Sequence, residues 1–446
     1  MLRLLAVTWL CVCSGFANGV AAHQQQPYPS IVGTTDTSVV AESFQAPNPL
    51  TLDQAIELAL QHNPLLSASQ SAVMARRSLA SQAGARPNPA LTLEAENVGG
   101  TGPIQGFDSG EFTAGLSQAI ELGRKRSLRT DAAMAEVEIS EWDFQTAKLD
   151  VIHQTSERFF SLLASQHRLN VSDSLWALSK RFSTSVSERR KAGKVSMLHE
   201  RRANILAATA NIQREAAARK LTEARNLLQE MWGRRGGDFT SVEEQFDTLF
   251  RLPELDSLLE DVESYSMSVS AERFIDHARA ELKLQRAMSI PDIEVSAGVR
   301  RIKEIEASGA TVSVGIPLPL FNRNRRAVEA AEHELQRAEA LKLAIQSQLQ
   351  TQILNGYAEV ASFKTEATML GQSAVPDATQ NLIATIEGYE NGKFDLLAVL
   401  DAQRVLFELT NQHIDALLRF HTARLNLERL VAASFESLTE ERHNND

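Results

Sequence analysis

The chain has 446 residues and a formal net charge of −11, so it offers no basic surface to neutralise phosphates, and nucleic acid is excluded as a partner. An acidic surface of this kind suits a path for cations. Both cysteines, Cys11 and Cys13, stand at the very start, and a chain cut behind them can hold neither a disulfide nor a thiolate metal site.

Residues 1–22 read as a signal peptide. Arg3 precedes the apolar run Leu4 to Cys13, and the small residues Val20, Ala21 and Ala22 place cleavage after Ala22. A lipid anchor is the rival reading, opposed by the bulky Thr8, Trp9 and Leu10 before Cys11. No later segment approaches the roughly 18 consecutive apolar residues of a membrane helix. Residues 23–50 are polar, proline-bearing and unpatterned, which predicts a flexible N-terminal arm.

Order is predicted from Thr51, a helix cap followed by the apolar positions Leu52, Ala55, Ile56, Ala59 and Leu60. Pro64 then kinks or restarts that helix. Over 90–118 the period changes from 3.6 to 2. Leu91, Leu93 and Ala95 alternate with Thr92, Glu94 and Glu96, and beyond a glycine-rich loop Phe112, Ala114 and Leu116 alternate with Thr113, Gly115 and Ser117. Next comes a very long helical pattern whose seam, Leu128, Ala132, Ala135, Ile139 and Trp142, has coiled-coil spacing. It ends at a tight turn, Gly193-Lys194-Val195-Ser196-Met197-Leu198, and a returning helix runs to Trp232.

After a mixed segment over 233–265, residues 266–433 repeat the scheme of 51–232. A second hairpin over 291–317 alternates Ile293, Val295, Ala297 and Val299, then Val312, Val314 and Ile316, against polar or small residues. A helix of about 68 residues, with Val328, Ala331, Leu335 and Ala338 on its seam, would be about 100 Å long. It leads to a second turn, Gly392-Lys393-Phe394-Asp395-Leu396-Leu397. Residues 434–446 form a polar C-terminal tail. Matching positions lie about 200 residues apart, so the chain is two copies of one unit. Each copy supplies a hairpin at one end of a helical rod and a glycine turn at the other. Strands with one apolar and one polar face suit either a half-buried sheet or a membrane barrel.

The signal peptide, the two hairpin-plus-rod copies and the phrases LSQAIELGRKR (116–126) and IPLPLFNRNRR (316–326) resemble the TolC-like outer-membrane efflux family. The stretch Ile120-Glu121-Leu122-Gly123 is most similar to its heavy-metal, CzcC/CusC-type branch. The resemblance implies a mixed fold: a long α-helical coiled-coil barrel in the periplasm and a transmembrane β-barrel in the outer membrane, completed by trimerisation with four strands per chain. It implies a homotrimer working with a periplasmic adaptor (membrane fusion protein) and an inner-membrane pump of the resistance-nodulation-division type. Heavy-metal cations are the implied cargo. A duct for drugs or secreted proteins, and a periplasmic coiled-coil scaffold, are the alternatives.

Leu91, Leu93, Phe112, Leu116, Ile293, Val295, Val312 and Val314 would then face lipid. Both glycine turns, 193–198 and 392–397, would meet the adaptor, against the plainer reading of two glycine helix caps. The resemblance also places Tyr389, Asp401 and His199 at a periplasmic gate. Met197, His199 and Glu200 point around their helix rather than to one face, so they cannot converge on one metal ion. No nucleophile elbow, phosphate loop or HExxH motif is present, and neither an enzyme nor a cofactor is expected.

Overall fold

The computed structural model describes residues 47–104, 107–233 and 239–431, which belong to one compact unit. The segments expected to be a signal peptide (1–22) and a polar tail (434–446), and nearly all of the expected arm (23–50), lie outside the described residues.

Helix α1 (Leu52–His62) starts at a capping box in which the Thr51 side chain accepts the Gln54 amide while the Gln54 side chain accepts the Thr51 N–H. Its buried face carries Leu58 with Ala55 and Ala59, whereas Leu60, expected on that face, is exposed. At Pro64 the chain restarts rather than kinks. Asn63 Oδ1 accepts the Leu65 N–H at 2.9 Å and Nδ2 donates to the Met231 carbonyl at 2.9 Å, so α2 (Pro64–Ala83) begins with proline at the position where a missing N–H costs nothing.

Strands β1 (Ala90–Glu96) and β2 (Glu111–Ile120) form the first hairpin, and β3 (Ile293–Ile302) and β4 (Ala307–Gly315) the second. The hairpins join edge to edge into one antiparallel sheet of order β1-β2-β3-β4. In the central pair Gly115 stands opposite Gly298, where an added Cβ on Gly298 would meet the Ala114 carbonyl oxygen at 2.6 Å. Glycine is required there because the two backbones approach closely.

From β2 the chain enters α3 (Lys125–Lys191), a helix of 67 residues, and returns along α4 (Met197–Glu230). The short α5 (Leu255–Glu260) and α6 (Ser266–Met288) precede β3. After β4, α7 (Arg325–Met369) continues through a π-helical turn (Leu370–Ala374) into α8 (Val375–Glu390), and α9 (Leu396–Val431) returns. The second long helix, expected to be regular, is therefore interrupted. Pro376 has no N–H for the carbonyl four residues back, and the extra residue of a π-turn absorbs the mismatch. Gly371 in that turn makes room for His413 of α9, whose Nε2 would lie 2.7 Å from an added Cβ.

The halves also match where sheet passes into helix. Arg124 and Asn324, each just ahead of a long helix, both adopt left-handed backbone, with φ of 59° and 56°. Lys125 Nζ donates to Asp292 at 2.7 Å, and the Leu122 N–H donates to the same carboxylate at 3.0 Å, so the foot of α3 is tied to the start of β3.

The main core sits midway along the helices, where Trp232, Phe239 and Phe246 pack against Phe159 and Phe160 of α3 and Leu417 of α9. Leu50 is fully buried in it and pairs in parallel with Val242. The arm drawn to residue 50 therefore ends in core, because Leu50 has an apolar place to go that the unpatterned residues before it do not announce. A second cluster packs Leu258, Val262 and Tyr265 against Leu349, Ile353 and Phe420, and a third lies under the glycine turns.

Candidate functional site

Strand register assigns every sheet residue to a face. Leu93 opposite Ala114, Leu116 opposite Leu91 and Ala297, and Val312 opposite Ala297 share one face with Phe112, Val295, Ile293 and Val314. This face has no cover within the protomer: Leu93 is 72% exposed and Val312 75%, with Leu91, Phe112, Leu116 and Val314 also exposed. Ile293 and Val295 are half-buried near the helical end.

The opposite face is a concave polar groove lined by Thr92, Thr113, Ser117, Ser296, Thr311 and Ser313. Arg300 reaches across it, with Nε donating to Thr113 Oγ1 at 3.0 Å and the guanidinium meeting Glu111 at 3.0 Å and Glu96 at 3.3 Å. Glu94 and Glu294 on the same face have no ion-pair partner among the described residues, so carboxylates outnumber cations there.

Both outer strands, β1 and β4, leave an unpaired edge. Four strands cannot close on themselves, and an open apolar sheet is stable only when copies complete it. The ten residues of β2 reach about 33 Å extended, or about 25 Å when tilted as barrel strands are, the height of an outer-membrane apolar band. Among the described residues no helix is long and apolar enough to cross a membrane. The rod carries a matching sign of incompleteness, since Leu198, Ile205 and Ile212, seven residues apart along α4, are all exposed.

At the far end of the rod the two glycine turns share one geometry. Gly193 and Gly392 have φ of 72° and 73°. Lys194 N–H reaches the Arg189 carbonyl at 2.9 Å, and Lys393 N–H the Gly388 carbonyl at 2.8 Å, the paired pattern of a Schellman cap. Glycine alone explains the cap. The residues after it diverge in burial. Met197, Leu198, Phe394 and Leu397 are exposed beside Lys194, Ser196, Lys393 and Asp395, whereas Val195 is half-buried and Leu396 is 1% exposed. Leu396 is a core residue, packed with Val186, Ala203 and Val399. It is thus withdrawn from the contact surface expected over 392–397.

Among the described residues no hydrogen bond, ion pair or ring contact joins the three expected gate residues to one another. Tyr389 is 6% exposed, inserted between the helices beside Phe182 at 5.4 Å and beneath the Arg189 guanidinium at 5.1 Å. Arg189 also donates to the Glu390 carbonyl at 3.1 Å, linking the first turn to the second. Asp401 projects outward but is paired with Arg404 at 3.0 Å, one helical turn on. His199 is half-buried, and its neighbour Glu200 is engaged by Arg190 and by the Ser187 hydroxyl. Arg404 is the ion-pair partner of Asp401 that sequence reasoning missed, although an acid followed three residues later by arginine is a legible helical pair. Among the described residues no three His, Cys, Asp or Glu side chains gather as metal ligands.

The model of the family described as outer membrane efflux protein matches residues 55–234 and 268–433. The cobalt-zinc-cadmium resistance protein CzcC of Cupriavidus metallidurans is 30% identical over 387 residues, 87% of this chain and 91% of that protein. The pyoverdine export outer membrane protein OpmQ of Pseudomonas putida is 25% identical, over 88% of this chain and 85% of its own. Among solved structures, one of CusC superposes with a TM-score of 0.73 at 17% identity, covering 88% of this chain and 96% of that one. With the unpaired sheet edges, the two-faced strands and the paired helical rods already in place, the chain belongs to the outer-membrane efflux protein family: passive, homotrimeric outer-membrane ducts with a long periplasmic helical part, joined through an adaptor to an inner-membrane pump.

Proposed function

We propose that this duct carries heavy-metal cations out of the cell. The observation that carries the reading is the 30% identity, over nearly the whole length of both chains, to a cobalt-zinc-cadmium resistance protein. The acidic excess on the polar face of the sheet and the net charge of −11 favour cations along the same route. A water-filled duct passes hydrated ions without stoichiometric ligands. The similarity to a pyoverdine exporter supports a second reading, a duct for an organic chelator. Deleting the gene and scoring tolerance to cobalt, zinc and cadmium alongside siderophore secretion separates them. Lost metal tolerance with intact secretion is expected, and the reverse pattern would assign the duct to the chelator.

The reading further assigns the exposed apolar sheet face to outer-membrane lipid and the exposed residues of both glycine turns to the adaptor. At the mouth, the candidate gate group becomes the Asp401–Arg404 pair rather than a lone carboxylate, with Tyr389 and His199 supporting it from within the helices. If the pair borders the lumen, its two halves act in opposite directions. Asp401→Asn leaves each Arg404 with only Glu408, at 3.7 Å, as a counter-charge and should lower cation selectivity. Arg404→Ala leaves three carboxylates and should raise it. Single-channel reversal potentials in a salt gradient check this, and equal potentials in wild type and both variants would place the pair outside the lumen.

A further inference from the structure

The two glycine turns share a backbone but carry opposite charge. Residues 188–202 hold six Lys or Arg against Glu188 and Glu200, a net of +4, in a chain whose total is −11. Residues 387–401 hold four carboxylates against Lys393, a net of −3.

Part of this charge is already used within the protomer. Arg189 lies over Tyr389 and donates to the Glu390 carbonyl, Arg190 pairs with Glu200, Asp395 accepts the Ala398 N–H, and Asp401 pairs with Arg404. Lys191, Lys194, Arg201 and Arg202 remain exposed with no ion-pair partner among the described residues, and they flank the exposed Met197 and Leu198 along the chain.

The turns of a neighbouring copy cannot absorb all of them. Counting Lys393, five cations stand free at this end of each protomer. The free carboxylates are three: Glu188, Glu387 and Glu390. Trimer symmetry repeats this imbalance in every protomer, so full pairing among the turns still leaves a surplus of two cations per chain. Such a surplus around two apolar side chains fits a partner bringing carboxylates and an apolar anchor together.

We propose that the 188–202 turn is a docking surface selective for an acidic segment of the periplasmic adaptor that carries an apolar anchor. The cations choose the partner and steer its approach, and Met197 and Leu198 supply the apolar contact. The proposal rests on the assignment of the glycine turns to adaptor contact and adds the chemistry of that contact. It also makes the two turns of each chain unlike in what they accept, although their backbones match.

Purified trimer in detergent, titrated with two synthetic helical hairpins, tests it. The hairpins share a leucine-bearing turn; one is flanked by Glu and Asp, the other by Lys and Arg. The acidic hairpin should bind, weaken about 10-fold or more in the double variant Lys191→Glu, Lys194→Glu, and weaken as salt is raised past the Debye range of the contact. The basic hairpin should not bind the 188–202 turn. Binding of the basic hairpin that Leu198→Asp abolishes, which would seat it on the 188–202 turn, or acidic binding untouched by the double variant, overturns the proposal. Leu198→Asp separates the two layers. If it abolishes binding while the charge variants do nothing, the turn still docks the adaptor and only the charge selectivity falls; if neither change matters, the turn assignment falls as well. Should the double variant dissociate the trimer, the crosslinked trimer is titrated instead. Undiminished binding there would assign the cations to the neighbouring subunit and overturn the proposal.

Discussion

Leu93→Arg is expected to destabilise the assembled barrel by about 2 to 4 kcal/mol per site, because residue 93 lies midway along β1 on the uncovered apolar face and a guanidinium there must enter hydrocarbon. Val312→Arg, at the centre of β4 on the same face, should cost as much. Thr92→Arg, one residue away, turns to the polar groove beside Glu94 and should be nearly neutral. Three sites act together in a trimer, so the first two variants should fail to assemble in the outer membrane. Heat-resistant oligomer on gels, compared among the three, is the measurement. Equal behaviour of Leu93→Arg and Thr92→Arg would mean that neither face borders lipid.

Acidification should weaken the helical rod through His421. Its ring is fully buried, stacked on Phe160 at 4.2 Å and near Phe246 at 5.5 Å, and Nε2–H donates to the Phe246 carbonyl at 2.8 Å. Burial pushes the imidazole from 6.5 down to about 4; the hydrogen bond to Phe246 opposes that, and the neighbouring Arg424 adds to it. Between those two values the unfolded chain binds a proton that the folded chain refuses. The stabilising effect is therefore complete above about pH 6.5 and is lost progressively as pH falls towards 4. The loss amounts to roughly 3 kcal/mol per protomer. His153 and His413 are also lowered by burial and contribute to the same slope. The test is thus a difference: His421→Phe should be less stable at neutral pH, since the Phe246 carbonyl loses its donor, but flatter than wild type from pH 6.5 to 4. Helical melting temperatures followed by circular dichroism across that range would contradict this if the two slopes coincided.

The repeat, the faces of the strands and the glycine turns were legible in the sequence because each is a periodic or steric signal. Alternation along 90–96 and 293–300 assigns Leu93 and Glu94 to opposite faces whatever the sheet packs against, and Gly193 and Gly392 mark positions that need positive φ. What the sequence hid depends on partners distant along the chain. The joining of β2 to β3 makes one sheet of two hairpins, and nothing local to either strand announces it. Leu50 finds its place only through Val242. Resemblance alone places Tyr389 at a gate, and nothing local to it announces that Phe182 and Arg189, about 200 residues earlier, enclose it. The π-turn before Pro376 did carry a local signal. A proline inside a helical pattern demands some adjustment, but only the packing of His413 against Gly371 shows where it falls. The opposite charges of the two turns could be counted from the sequence; their significance appears once Arg190, Asp395 and Asp401 are seen to be engaged while Lys191 and Lys194 are not.

Every functional assignment above requires that three copies of a four-stranded sheet close one barrel. Native mass spectrometry of protein extracted from outer membranes in mild detergent measures this directly. The open edges of β1 and β4 predict a single species at three times the chain mass; a monomer that stays folded and soluble without detergent would contradict the barrel and, with it, the duct.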